Sequence, residues 1–328
     1  MAESLILPSE DESVQATNDD ATSSKKYAVD QGYWKDDYVQ FFCRSAEKRT
    51  PEICRGYYAR VLSIQKLLVK FLKLTSCDCH VINLGAGFDS TYWTMRDRGL
   101  TPRTYIDIDF PEVNKKKCQI IKKRKQLLEP LSKDSSHSAT PTEISSTELH
   151  SAHYHVLSCD LRKVGELSKK LLDLGFDTNT PTFILSECVL VYMSSESSNP
   201  IIEWAGKTFS TAIWINYEPI LPDDRFGRTM LSNLKYRGCA LLGIDSCPDL
   251  TSQRQRFLNY GWSHSWALDM CQVYSLLPRD DVARIERLDF LDEKELLTQL
   301  LQHYTLSCGF KDTKGIGLER VSLEDKTL

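Results

Sequence analysis

The stretch Val81-Ile82-Asn83-Leu84-Gly85-Ala86-Gly87-Phe88-Asp89 ends a short apolar run in a Gly-x-Gly turn. Gly85 and Gly87 carry no Cβ, so the turn can be tight and a ligand can approach the main chain. A second apolar run, Tyr105-Ile106-Asp107-Ile108-Asp109, follows about 20 residues on and ends in a carboxylate. Such a carboxylate can accept hydrogen bonds from the two hydroxyls of a ribose. Two further runs end alike, one leading into Cys159-Asp160-Leu161 and the other in Glu187. Ligands of open parallel sheets bind at the carboxyl ends of the strands, so the recurrence of Asp109, Asp160 and Glu187 at such ends defines a candidate nucleoside-cofactor site. Ser90 stands where a dinucleotide pattern would have its third glycine. That favours S-adenosylmethionine, which has no pyrophosphate to cradle, over a nicotinamide dinucleotide.

These residues need a sheet to position them. Strands are predicted over 80–84, 103–109, 154–158, 182–187 and 212–217, with helices over 111–128, 163–174 and 199–209 between them. The alternation reads as an α/β chain with a mostly parallel, doubly wound sheet. A final pair of strands, 305–309 and 317–321, after a helix over 292–303, would make an antiparallel edge. Thr50-Pro51 opens a helix to about residue 74, with Thr50 as N-cap and Pro51 at its first position. Val61, Ile64, Leu67, Leu68, Phe71 and Leu72 form its apolar stripe, and Arg60 sits beside it. Residues 25–75, rich in aromatics, read as a helical cap over the sheet. Residues 129–153 lack periodicity and read as a flexible insertion. Residues 221–278 read as a helical lid, with helices over 252–260 and 267–277.

Residues 1–24 hold six acidic and no basic residues and read as a disordered acidic tail. A net charge of −4 argues against a nucleic-acid partner. The basic helix, with Lys115-Lys116-Lys117 and Lys122-Lys123-Arg124-Lys125, reads as a solvated outer face. No apolar run reaches the length of about 18 residues that a membrane span needs, and no secretory signal pattern opens the chain. The eleven cysteines are scattered, without a Cys-x-x-Cys, which fits reduced thiols of a cytoplasmic protein. His150, His153 and His155 lack the neighbouring Cys or carboxylate that would complete a convincing metal set, so no metal is expected. A monomer is expected.

The motifs Gly56-Tyr57-Tyr58-Ala59-Arg60, Asn83-Leu84-Gly85-Ala86-Gly87, Asp107-Ile108-Asp109-Phe110-Pro111 and Cys159-Asp160-Leu161-Arg162 resemble the leucine carboxyl methyltransferase family. So do Glu187-Cys188-Val189-Leu190-Val191-Tyr192-Met193 and Asp224-Arg225-Phe226-Gly227, the match running in order over roughly residues 25 to 325. The resemblance is nearest to the branch that esterifies the C-terminal leucine carboxylate of the protein phosphatase 2A catalytic subunit. It implies a class I S-adenosylmethionine-dependent fold, Rossmann-like, with a mostly parallel seven-stranded sheet and an antiparallel edge. It implies Lys25 (with Lys26 adjacent) and Arg60 near the methionine carboxylate, and Gly85 in the motif turn. Asp109 would hold the ribose, Asp160 and Leu161 would face the adenine edge, and Glu187 would close the methionine end. Tyr192, just beyond Glu187, is expected to face the acceptor.

A C-terminal carboxylate is already ionised near neutral pH, so methyl transfer to it needs no general base. The enzyme must strip water, align one oxygen with the methyl group and hold that line. Arg60 or the Tyr192 hydroxyl would supply the donor that orients the acid. Other readings are a methyltransferase for small carboxylic or phenolic metabolites, one acting on a modified tRNA base, a nicotinamide oxidoreductase, and a non-catalytic cofactor-binding partner of the phosphatase. The tRNA branch carries an extra repeat domain, and no internal repeat of about 40–50 residues is visible here.

Overall fold

Neighbouring strand residues bury on opposite faces of the sheet. Val81, Tyr105, Phe183 and Ile213 enter one apolar layer, and Ile82, Ile106, Ile184 and Trp214 enter the other. This is the period-two pleat of a sheet covered on both sides, which is why these strands read as continuous apolar runs. The computed structural model describes residues 9–137, 141–221 and 223–324.

The chain starts with α1 (Glu10–Asp30), α2 (Val39–Phe42) and α3 (Pro51–Leu74). Next come β1 (His80–Leu84), α4 (Thr91–Asp97), β2 (Thr104–Asp109), α5 (Pro111–Lys123) and α6 (Lys125–His137). Two short strands, β3 (Glu143–Ile144) and β4 (Leu149–His150), precede β5 (Tyr154–Ser158). The parallel part closes with α7 (Val164–Asp173), β6 (Thr182–Glu187), α8 (Ser195–Thr208) and β7 (Thr211–Pro219). Then follow α9 (Arg225–Tyr236), α10 (Leu250–Asn259), β8 (His264–Asp269), α11 (Met270–Ser275), α12 (Arg279–Ile285), α13 (Lys294–Gln302) and β9 (Tyr304–Asp312). The strand order is β3-β4-β5-β2-β1-β6-β7-β9-β8. Strands β5, β2, β1, β6 and β7 are parallel, while β9 runs antiparallel to both β7 and β8. The order reverses between β1 and β6, and the crevice at that switch point is where such sheets hold ligands.

The structure corrects several expectations. The acidic segment 1–24 is helical from Glu10 onward; residues 1–8 lie outside the described residues. Ser9 and Glu12 form a capping box, and Glu10, Asp11 and Glu12 complement the dipole of the first turn. Polar composition hid a helix that is held by contacts with distant residues. The insertion 129–153 contains the end of α6 and the pair β3–β4, which extends the sheet beyond the seven expected strands. The stretch 221–278 is not a continuous helical lid, because β8 within it forms the outer edge of the sheet. The predicted strand over 317–321 is instead a single 3-10 turn, Leu318–Arg320. The predicted helix over 111–128 breaks at Arg124. Lys117 is no solvated lysine: it is fully buried and donates to Asp107 Oδ2 at 2.6 Å. Tyr154 donates to the same oxygen at 2.5 Å, and Asn83 donates to Asp107 Oδ1 at 3.2 Å. This network ties α5 to β1, β2 and β5 directly beneath the Gly-x-Gly turn, and a buried charge so partnered avoids the penalty of an unpaired one.

Candidate active site

The ends of β1, β2, β5 and β6 open into one cavity of about 510 Å³, roofed by α1. Gly85 turns the chain out of β1 with φ +61°, and a Cβ there would lie 2.5 Å from Val189 Cγ2. Asp109 accepts from the Gly87 N–H (2.7 Å) and the Phe110 N–H (2.7 Å), so the end of β2 and the glycine turn are fixed to each other. Burial pushes the Asp109 carboxyl up, against those two donors. On the other side of the turn, Asn18 of α1 accepts from the Phe88 N–H at 2.8 Å.

Glu187 lies at the deep end. Its Oε1 accepts from Arg60 Nε at 2.6 Å and from Lys25 Nζ at 2.8 Å, and Asp89 stands 3.9 Å from the same lysine. The three side chains are only 11–20 % exposed, so solvent screens them little. Burial opposes ionisation of Glu187, but Arg60 and Lys25 outweigh it and hold its carboxyl down at about 2. Burial likewise opposes the charge on Arg60, and Glu187 keeps its pKa raised. Lys26 points away, to Asp30 at 2.5 Å, while Lys25 lines the cavity. At the rim, Arg162 grips both Asp160 oxygens (2.8 and 3.0 Å) and reaches Asp11 of α1 at 2.8 Å. Leu161 is buried in the apolar layer beside it.

A second cavity, of about 290 Å³, adjoins the first. Arg60 lines both. Its guanidinium lies over the rings of Tyr217 (4.6 Å) and Tyr57 (5.3 Å), and Tyr217 stacks on Tyr304 at 5.3 Å. Ile53, Leu300 and Leu301 give this cavity an apolar side.

Thus Lys25, Arg60, Gly85, Asp109, Asp160, Leu161 and Glu187 all line the first cavity. Tyr192, in a 3-10 turn after β6, lines the first cavity and not the second. The rings of the second are those of Tyr57, Tyr217 and Tyr304, which sequence reasoning missed. Tyr57 had a signal: it precedes Arg60 by one helical turn in the same motif. Asn18 had none. Cys188 also lines the first cavity, with φ +57° at the strand-to-turn junction, and burial pushes its thiol up to about 11. A thiol so held is not a nucleophile near neutrality.

The donor set fits a zwitterionic amino acid joined to a nucleoside. Two cations and two carboxylates lie at one end, the Asp109 carboxylate lies midway, and Phe110, Leu161 and Val189 supply apolar surface. Sheet order, glycine turn and strand-end acids together define an S-adenosylmethionine-dependent methyltransferase of class I. A family model described as "Leucine carboxyl methyltransferase" matches residues 13–206. "Leucine carboxyl methyltransferase 1" of Bos taurus is 43% identical over 333 residues, covering 98% of this chain and 100% of that protein. "Leucine carboxyl methyltransferase 1 homolog" of Arabidopsis thaliana is 42% identical over 305 residues, covering 92% of this chain and 90% of that protein. "tRNA wybutosine-synthesizing protein 4" of Rattus norvegicus is 34% identical over 301 residues, covering 89% of this chain but 43% of that protein. The chain belongs to the leucine carboxyl methyltransferase family. S-adenosylmethionine is the methyl donor, and among the described residues no helix is long and apolar enough to cross a membrane.

Proposed function

We propose that this enzyme esterifies the C-terminal leucine α-carboxylate of the protein phosphatase 2A catalytic subunit, in the cytoplasm, with S-adenosylmethionine as methyl donor. The observation that carries this reading is the shared position of Arg60, between a cofactor-sized cavity and a smaller, ring-lined one with an apolar side at Ile53, Leu300 and Leu301. The second cavity suits a leucine side chain followed by a carboxylate.

When bound, S-adenosylmethionine supplies an electrophilic methyl group on a positively charged sulfur. In this reading Lys25 and Arg60 hold its methionine carboxylate, and Glu187 takes the ammonium group. Asp109 accepts from the ribose hydroxyls, while Asp160 and Leu161 bound the adenine. Gly85 lets these groups approach the backbone. The acceptor carboxylate arrives ionised, so no residue here removes a proton. Tyr57, Tyr217 and Tyr304 exclude water from it, and Arg60 orients it. Desolvation strengthens the nucleophile, whose charge disperses as the ester forms.

A short tail fills a cavity of this size with little binding energy to spare, so a second contact with the folded phosphatase is expected. Tyr236 is 95% exposed at the end of α9, beside the site, and Leu242 is exposed a few residues on. Both suit that contact.

The test is transfer of labelled methyl to purified phosphatase 2A with its terminal leucine present or deleted. Base-labile label that requires the leucine is the expected result. Transfer that ignores the leucine points to other acids, and tight cofactor binding without transfer points to a non-catalytic role.

A further inference from the structure

An ion cluster drawn from three separate elements lines the second cavity. Asp20 of α1 accepts from Arg49 Nη2 at 2.6 Å, and its other oxygen lies 3.8 Å from Arg237 Nη1. Arg49 also donates through Nε to Ser24 Oγ at 2.9 Å, and its Nη1 meets Glu47 at 3.2 Å. Arg49 precedes the N-cap of α3, and Arg237 is the C-cap of α9. Asp20, Arg49 and Arg237 all line the second cavity together with Ile53 and Leu301, and Asp20 and Arg237 line the first as well.

We propose that Asp20 is a built-in placeholder for a carboxylate of the acceptor chain, seated between Arg49 and Arg237 until the acceptor displaces it. The proposal rests on the acceptor reading given above. Two guanidinium groups converging from different elements on one carboxylate form a seat that matches carboxylate geometry, since each planar fork can donate in pairs. Asp20 is 53% exposed and half-way along a helix, so a rotamer change empties the seat without unwinding α1. An exposed ion pair is worth little, and the placeholder therefore yields readily to a carboxylate whose chain also buries a side chain against the apolar side of the cavity. The incoming carboxylate is an acidic side chain upstream of the terminal leucine, since the terminal carboxylate itself is the group that Arg60 orients.

A merely structural clasp and a placeholder predict opposite signs. With the whole phosphatase subunit as acceptor, Asp20→Asn is expected to lower KM about two- to fivefold with little change in kcat. Arg49→Ala is expected to raise KM about tenfold to a hundredfold, and Arg49→Lys to recover part of that loss. In the Arg49→Ala/Arg237→Ala background, Asp20→Asn is expected to have no further effect. A KM that is unchanged or raised in Asp20→Asn overturns the proposal, as does an Asp20 effect that persists without the arginines. Cofactor affinity of the Arg49 variants, by calorimetry, serves as the check on folding. Acceptors whose upstream acidic side chains are changed to amides test the occupant directly. An Arg49→Ala penalty that vanishes with those amides assigns the seat to a side chain, and one that survives unchanged overturns the proposal. Absence of transfer by the wild-type enzyme defeats the acceptor reading itself. Normal transfer with the wrong sign for Asp20→Asn defeats the placeholder alone.

Discussion

Arg60 and Glu187 lie 127 residues apart in the chain and meet in one 2.6 Å hydrogen bond. The bond fastens α3 to the end of β6, and Lys25 of α1 shares the same carboxylate oxygen. Three elements that belong to different parts of the sequence thus converge on a single atom at the floor of the cofactor cavity. Replacing Glu187 with Ala leaves two shielded cations facing each other. Cofactor affinity is expected to fall about tenfold to a hundredfold, with a lower Tm; Arg60→Ala behaves alike, and Glu187→Gln falls between. Titration calorimetry with S-adenosylmethionine decides, and wild-type affinity in both alanine variants would remove these residues from the cofactor's site.

The pH dependence follows from charges that are already set. The Glu187 carboxyl is held at about 2, below its ordinary 4.5, so its contribution is complete above 4.5 and is lost only as pH falls from there toward 2. His80 is buried and His155 half-buried, and their surroundings push both down to about 4, chiefly by desolvation. The unfolded chain takes up their protons first, so their contribution is complete above the ordinary 6.5 and is lost as pH falls from 6.5 to 4. The expected pattern is a kcat/KM nearly flat between about pH 6.5 and 8.5, since no base is titrated, and a Tm that falls below that range. His80 is buried and stacks on Phe176 with ring centroids 3.8 Å apart, so His80→Phe should flatten the acid limb of the Tm profile.

Asn18→Ala removes the side-chain acceptor for the Phe88 N–H and a contact between α1 and the glycine turn. A lost hydrogen bond of this kind is worth about 1 kcal/mol, so the cofactor Kd is expected to rise about fivefold. Removing residues 1–20 should weaken binding further. Unchanged Kd in both would mean that α1 takes no part in holding the cofactor.

Gly85→Ala combines two penalties. The left-handed φ of +61° disfavours any side chain, and the new methyl would stand 2.5 Å from Val189 Cγ2. Together these predict a loss of roughly 2–4 kcal/mol in stability. Pairing it with Val189→Ala should relieve the overlap and leave the backbone penalty, so denaturant unfolding of the double variant should recover only part of the loss.

The central strands were legible because apolar runs there end at a glycine or an acid: β1, β5 and β6 have the bounds that their sequence suggests. The strand-end carboxylates were legible for the same reason. Two other elements were not. α1 is a polar helix, and its order depends on partners such as Arg162, Phe88 and Arg49, which the local sequence does not reveal. β8, His264-Ser265-Trp266-Ala267-Leu268-Asp269, lies half-exposed at an edge and lacks a strict alternation, so its pattern reads equally as helix. The second cavity was illegible because its rings come from three distant segments, at Tyr57, Tyr217 and Tyr304.

The strand order also bears on how the molecule assembles during synthesis. β8 joins the sheet through β9 alone, and β9 occupies the slot between β7 and β8. A ribosome that has released residues up to 303 has delivered every strand of the parallel core, yet β7 still offers a bare edge nine residues long and β8 has nowhere to bond. The final strand therefore acts as a wedge that completes two ladders at once. Chains stalled before it carry an open edge of the sort that invites aggregation.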